Sequence, residues 1–333
     1  MGNVAFKLFG IEIAWYGIII TAAVIMAIAI AVSVAKHRGV RKDDIYDMAL
    51  LTLPLGIIGA RLYYVVFDAF WGGAGNLDYY KNFWNIINLR NGGLAIYGAV
   101  IGGFIAVLLF CRFRKINRLA MLDIAALVVI LAQGIGRWGN FINQEAFGSA
   151  VTNPAWQWFP FAVHITRPGV AQGWYMATFF YESLWAVLTF VVLLAWMKGW
   201  GFFGKINTRW AQKRGIDAQY PRRAMPAGNL LWGYLALYGL ERAIVEYFRT
   251  DSLMIGPLKV SMILSMAMVV VGIVMLFVNN RTGQMAPQEY IEPQKNDEPV
   301  EDPAVEETAE PQDEQEMQDE QEAQADDAEQ ADA

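Results

Sequence analysis

The sequence predicts an all-α polytopic membrane protein: seven transmembrane helices, N-terminus outside, C-terminus cytoplasmic, with a disordered acidic C-terminal tail. Three observations carry this reading. Of 333 residues, 56% are apolar and only 17% charged, whereas soluble domains average ~25% charged. Seven apolar stretches reach the roughly 17–25 residues that a hydrocarbon core demands. They lie at about 11–35, 46–67, 94–111, 119–138, 174–197, 227–247 and 258–279. Finally, Lys and Arg collect between alternate stretches.

Span one has no basic segment before its apolar run and is read as retained, not as a cleaved signal. Lys36, Arg38, Arg41 and Lys42 follow it. Span two leads into residues 68–93, where Trp71, Tyr79, Tyr80, Phe83 and Trp84 mix with polar residues. This segment reads as amphipathic or irregular pieces lying at the interface. Span three, the shortest, is followed by Arg112, Arg114, Lys115 and Arg118. Span four stops at Gly139, and a second interfacial segment, 139–173, carries Trp156, Trp158, Phe159 and Phe161.

Span five precedes a basic inner loop, 199–224, suited to anionic lipid. Lys198, Lys205, Arg209, Lys213, Arg214, Arg222 and Arg223 mark that side. Span six carries charge, and Arg281 follows span seven. Sixteen basic residues thus share one side. Six (Lys7, Lys81, Arg90, Arg167, Arg249 and Lys259) share the other. The richer side is expected in the cytoplasm. Arg61, Arg137 and Arg242 remain inside or at the ends of spans.

The net charge of −6 joins two unlike parts. From Glu289 onward there are 19 acidic residues against Lys295 alone, a balance of −18, while residues 1–288 balance at +12. The chain therefore divides into a seven-span body, 1–285, and an acidic tail, 286–333, too poor in apolar residues to offset ordering entropy. An ordinary soluble enzyme and an acidic nucleic-acid mimic are both excluded, and no nucleic-acid partner is expected. With one Cys, Cys111, and two His, His37 and His164, no metal site is expected. No organic cofactor is suggested either.

Ionisable groups within spans are expensive and are functional or mutually paired. On the predicted topology, Tyr16, Arg61, Tyr97, Arg137, Glu182, Arg242 and Glu246 come from six spans and all fall in the outer half. Asp123 alone lies near an inner end. Arg242 and Glu246, at i and i+4, also suit a purely structural pair. The convergence of the whole set suits an anionic ligand, since guanidinium matches phosphate oxygens in bidentate fashion. The densest local pattern is Gly136-Arg137-Trp138-Gly139-Asn140-Phe141-Ile142-Asn143-Gln144-Glu145, ending at Gly148. A helix cap and surface turn accounts for part of it. A Gly/Asn-rich break at membrane depth is tolerated where it faces protein or a wet cavity.

These residues resemble the signature of the bacterial prolipoprotein diacylglyceryl transferase family. Further pieces agree in order: Trp15-Tyr16-Gly17, Gly59-Ala60-Arg61-Leu62, Gly92-Gly93-Leu94-Ala95-Ile96-Tyr97-Gly98, Tyr181-Glu182, and Tyr238-Gly239 followed by Arg242, Glu246 and Arg249. The likeness covers about residues 10 to 280 and leaves out the tail. It implies transfer of the diacylglyceryl group of phosphatidylglycerol to the lipobox cysteine of an exported prolipoprotein, forming a thioether and releasing glycerol 1-phosphate. It also implies a multi-pass protein of the bacterial inner membrane, among membrane lipids, with an outward-facing site.

On that resemblance, Arg137 and Arg242 serve the phosphate, and Asn140 and Asn143 act as neutral donors beside Gly148. Glu145 and Glu246 orient Arg or take the thiol proton. Tyr16 binds the headgroup or shuttles a proton, and Arg61 is a weaker candidate for the anion. Relatives often carry His where this chain has Tyr97, and His-Pro where it has Met176-Ala177. Tyr97, whose unperturbed pKa is ~10, is therefore expected to act through a hydrogen bond. The rival reading is a transporter or flippase for an anionic lipid headgroup, but no paired repeat or broken-helix pair is visible. An intramembrane protease lacks its constellation.

Overall fold

The computed structural model describes residues 4–71, 76–88, 92–248, 254–255 and 258–286. The acidic tail beyond Ala286, and Arg249, lie outside the described residues. The protein is mostly helical. Two strands, β1 (Val4–Leu8) and β2 (Ile11–Ala14), form an antiparallel hairpin ahead of α1 (Trp15–Val34). Phe9 and Gly10 turn it, both at positive φ, as tight two-residue hairpin turns require. The predicted first span therefore starts late: residues 11–14 pair with β1 instead of joining the helix.

α2 (Lys42–Trp71) keeps Pro54 inside it, and two short helices, α3 (Asn76–Tyr79) and α4 (Phe83–Ile87), follow. They fall within the segment 68–93, expected to hold amphipathic or irregular pieces. α5 (Ile96–Arg114) ends at Lys115 with φ 57°. α6 (Arg118–Ile142) is capped by Asn117, whose side-chain oxygen accepts from Leu119 N at 3.0 Å and Ala120 N at 3.2 Å.

The predicted end of span four at Gly139 is corrected: α6 continues one turn, to Ile142. Gly139 serves close approach instead. A Cβ there would lie 2.5 Å from Cδ2 of Tyr16. The segment predicted as interfacial holds β3 (Ala162–Ile165) paired antiparallel with β4 (Gly173–Met176). Consequently the fifth apolar helix, α7, runs Thr178–Lys198 and starts four residues after the predicted 174.

α8 (Gly201–Lys213) precedes α9 (Asn229–Phe248). Then β5 (Met254–Ile255) and β6 (Leu258–Lys259) lead to α10 (Val260–Thr282). Among the described residues, six helices are long and apolar enough to cross a membrane: α1, α2, α5, α6, α7 and α10. α9 has the length, 20 residues, but carries Glu241, Arg242 and Glu246. The molecule is a polytopic helical membrane protein.

α6 lies at its centre, packed on α1, α7 and α9, while α2 pairs with α5 and α9 with α10. Half of the apolar window of α6 is buried, against 11% for α10. At the opposite end from Gly139, Arg38 forms a fully buried ion pair with Asp123. Asp123 also accepts from Gly228 N at 2.8 Å and Leu231 N at 2.9 Å. It thereby satisfies backbone donors that the start of α9 would otherwise leave open.

Candidate active site

Three helix ends meet where Gly139 lies. Trp138 Nε1 donates to Ser183 Oγ at 3.1 Å, and Phe141 stacks on Phe179 at 4.7 Å. These contacts register α6 against α7 and bring the preceding residue, Arg137, onto Glu182. Arg137 Nη2 pairs with Glu182 Oε2. The same oxygen pairs with Arg242 Nη1 at 3.4 Å, and Arg242 Nη2 reaches Glu246 Oε2 at 3.1 Å. Glu182 is 1% exposed, whereas the Arg137 side chain is 23% exposed. The carboxylates form the floor and the guanidiniums lie nearer the surface.

Each guanidinium carries five N–H donors in a planar fork. Among the described residues these ion pairs occupy only part of either fork. Glu182 Oε1 is buried with no hydrogen-bond partner among them. Glu241 and Tyr238 lie within electrostatic reach of Glu182 and both arginines. The arrangement presents two positive forks anchored from below, which suits a phosphodiester. The Arg242–Glu246 pair does form, but it is one edge of a four-residue chain and not an isolated helix pair.

The motif's second half makes a separate group. Glu145 Oε1 accepts from Asn140 Nδ2 at 2.9 Å and from Asn143 Nδ2 at 3.3 Å. Gln144 and Ala146 turn the chain at φ 51° and 54°. Thr178 Oγ1 then donates to the Ala146 carbonyl at 2.5 Å. Gly148 fits beside β4: a Cβ would lie 2.8 Å from Thr178 Cγ2 and 2.9 Å from Met176 Cβ. The expectation that Glu145 orients Arg137 or Arg242 is corrected. Its ion-pair partner among the described residues is Arg167, at 3.9 Å, because the turn after α6 carries Glu145 toward β3.

Tyr16, in the first turn of α1, packs its ring on Gly139 and so adjoins the Arg137–Asn140 turn. Tyr97 opens α5, is more than half exposed, and has Tyr63 of α2 as its ring neighbour at 6.1 Å. No hydrogen bond or ion pair joins it to the arginine group among the described residues. Arg61 also stands apart. Its Nε donates to Ile86 O at 2.7 Å, Nη1 to Gly92 O at 2.9 Å and Gly93 O at 3.0 Å, and Nη2 to Asn85 O at 2.7 Å. Four carbonyls take most of its donors, so it ties α4 to the residues just ahead of α5 and has little left for an anion.

Residues 3–278 match the profile of the prolipoprotein diacylglyceryl transferase family. The chain belongs to this family. It is 39% identical over 294 residues to the phosphatidylglycerol–prolipoprotein diacylglyceryl transferase of Pediococcus pentosaceus, covering 88% of this chain and 95% of that protein. It is 40% identical over 276 residues to the enzyme of that name from Finegoldia magna, covering 83% and 94%. It is 36% identical over 294 residues to the one from Bacillus cereus (strain B4264), covering 88% and 97%.

As a member of the diacylglyceryl transferase family, the chain is a membrane transferase, and the transporter reading is not favoured. In this transferase the sequence marks Glu182 as an intramembrane charge but not as a site residue. The available signals are its depth, five residues into α7, and its place in the Tyr181-Glu182 pair. Its bridging of two arginines from other helices was not visible along the chain.

Proposed function

We propose that the protein moves the sn-1,2-diacylglyceryl group of phosphatidylglycerol to the lipobox cysteine thiol of an exported prolipoprotein, releasing glycerol 1-phosphate. This is the first step of bacterial lipoprotein maturation. The observation that carries the reading is the meeting of Arg137 and Arg242, from separate helices, on the buried carboxylate of Glu182.

The thiolate attacks the glycerol carbon that bears the phosphate. A carbon–sulfur bond forms, the carbon–oxygen bond breaks, and its electron pair leaves on the phosphate. Arg137 and Arg242 stabilise that developing charge, which is where preplaced donors are most effective. Glu182 and Glu246 hold the two forks in position. Glu145, more exposed than Glu182 or Glu246, accepts the thiol proton, since the thiolate is the nucleophile. Asn140, Asn143 and Gly148 frame the headgroup, and Tyr16 lies over it from α1. Tyr97 donates a hydrogen bond to lipid from the α5 side.

The site faces outward from the cytoplasmic membrane of a bacterium. α9 serves as the seventh span. The ion pairs of Arg242 and Glu246 within the protein are what make a charged helix tolerable in a bilayer. The sixteen-to-six distribution of basic residues supports an outer N-terminus and a cytoplasmic acidic tail.

The test is thioether formation on a lipobox peptide in phosphatidylglycerol micelles. Arg137→Ala and Arg242→Ala are each expected to lower turnover by ~10²–10³-fold, the range for losing one charge-stabilising donor. Wild-type turnover in either variant removes that arginine from the phosphate. Tyr97→Phe is expected to lower turnover about tenfold, the loss of one hydrogen bond of about 1.4 kcal/mol. Intact activity would take Tyr97 out of the mechanism.

A further inference from the structure

A cavity of about 450 Å³ opens between the turn after α6 and the end of β3. Asn143, Gln144, Glu145, Thr166 and Arg167 line it with polar groups. Arg137 and Arg242 are not among its lining residues. Its wall is organised: Thr166 N donates to Gln144 Oε1 at 2.8 Å, and both Asn amides hold Glu145 Oε1. Arg167 is the cation of the cavity. It is half exposed, and its ion pair with Glu145, at 3.9 Å, is loose. No role for Arg167 follows from the motifs quoted above.

The geometry points to this cavity as the binding site for the leaving polyol phosphate monoester, with Arg167 as its phosphate-binding residue. The inference rests on the reaction proposed above. In that reaction a phosphodiester of one negative charge becomes a monoester carrying about 1.5–2 at neutral pH. A third guanidinium, beyond the first pair, therefore favours product over the substrate headgroup. The proton balance acts in the same direction. The thiol proton that Glu145 accepts neutralises the carboxylate paired with Arg167 among the described residues, loosening that pair when the monoester forms. The hydroxyls of the glycerol find Thr166, Gln144 and Asn143. The proton then passes from Glu145 to water as product leaves.

The experiment measures equilibrium binding of labelled glycerol 1-phosphate to the purified full-length protein in phosphatidylcholine micelles. Turnover on a lipobox peptide with phosphatidylglycerol is followed alongside. Arg167→Met keeps the apolar stem at a half-exposed position; should it not accumulate, Arg167→Gln carries the same test. The expected result is a rise of about tenfold or more in Kd, as for loss of a charge-assisted hydrogen bond, with a parallel weakening of product inhibition. Unchanged Kd overturns the proposal. So does displacement by inorganic phosphate as readily as by unlabelled glycerol 1-phosphate, because the polyol contacts would then contribute nothing. An equal rise in KM for phosphatidylglycerol would place Arg167 on the substrate and also overturn it. Arg167-dependent binding in a wild-type protein that makes no thioether would leave the cavity standing and sink the transfer reaction instead.

Discussion

Glu182 shows how much one side chain decides. It is 1% exposed and its Oε2 takes both arginines. A buried charge whose partner is removed is strongly destabilising, by ~3–5 kcal/mol. Replacing Glu182 by Gln keeps the shape and removes the charge. The expected outcome is a lower melting temperature in detergent, together with loss of thioether formation of at least tenfold as both forks lose their anchor. Unchanged melting and turnover would mean that Arg137 and Arg242 are positioned by something else. Glu145 teaches the complementary lesson. Eight residues from Arg137 along the chain, it sits across a turn and serves two amides and Arg167.

At the scale of elements, Arg61 joins pieces that sequence reading kept separate. The guanidinium from α2 fixes carbonyls of Asn85 and Ile86 in α4 and of Gly92 and Gly93 ahead of α5. Lys offers three donors on a point charge, without the planar fork. Arg61→Lys therefore leaves carbonyls unpaired, at about 1–3 kcal/mol for each buried one. Hydrogen exchange over residues 83–88 and 92–95 is expected to accelerate at least tenfold, while exchange at the centre of α6 stays as it was. Equal protection in variant and wild type would refute the clamp. The hairpins at 4–14 and 162–176 belong to the same scale. They displaced the predicted starts of spans one and five because short apolar runs next to a turn pair as strands as readily as they extend a helix.

At the scale of the molecule, orientation follows from the positive residues. A cysteine introduced at the exposed Asn153 is expected to react with a membrane-impermeant maleimide in intact cells. One introduced at the exposed Gln212, on α8, is expected to react only after permeabilisation. The native Cys111 is 1% exposed and supplies a silent background. Labelling of Gln212→Cys from outside would reverse the proposed topology, and with it the outward site.

Much of this was legible along the chain. Helical membrane character, the order of the apolar helices and the family motif are sums over neighbouring residues. Hydropathy and local spacing are one-dimensional, and the bilayer enforces them strongly because lipid-exposed backbone must be satisfied within its own helix. The sequence also narrowed the site to a few polar residues in apolar surroundings. What it left open was their grouping.

Only the tertiary structure decided that Arg137 and Arg242, 105 positions apart, share one carboxylate, that Arg61 is spent on carbonyls, and that α6 runs through Gly139. The first two depend on which helix faces which, and at the third the ring of Tyr16 occupies the space a Cβ at Gly139 would need. Those are matters of packing between distant segments, where a difference of one ångström separates a partner from a neighbour and no local pattern records it.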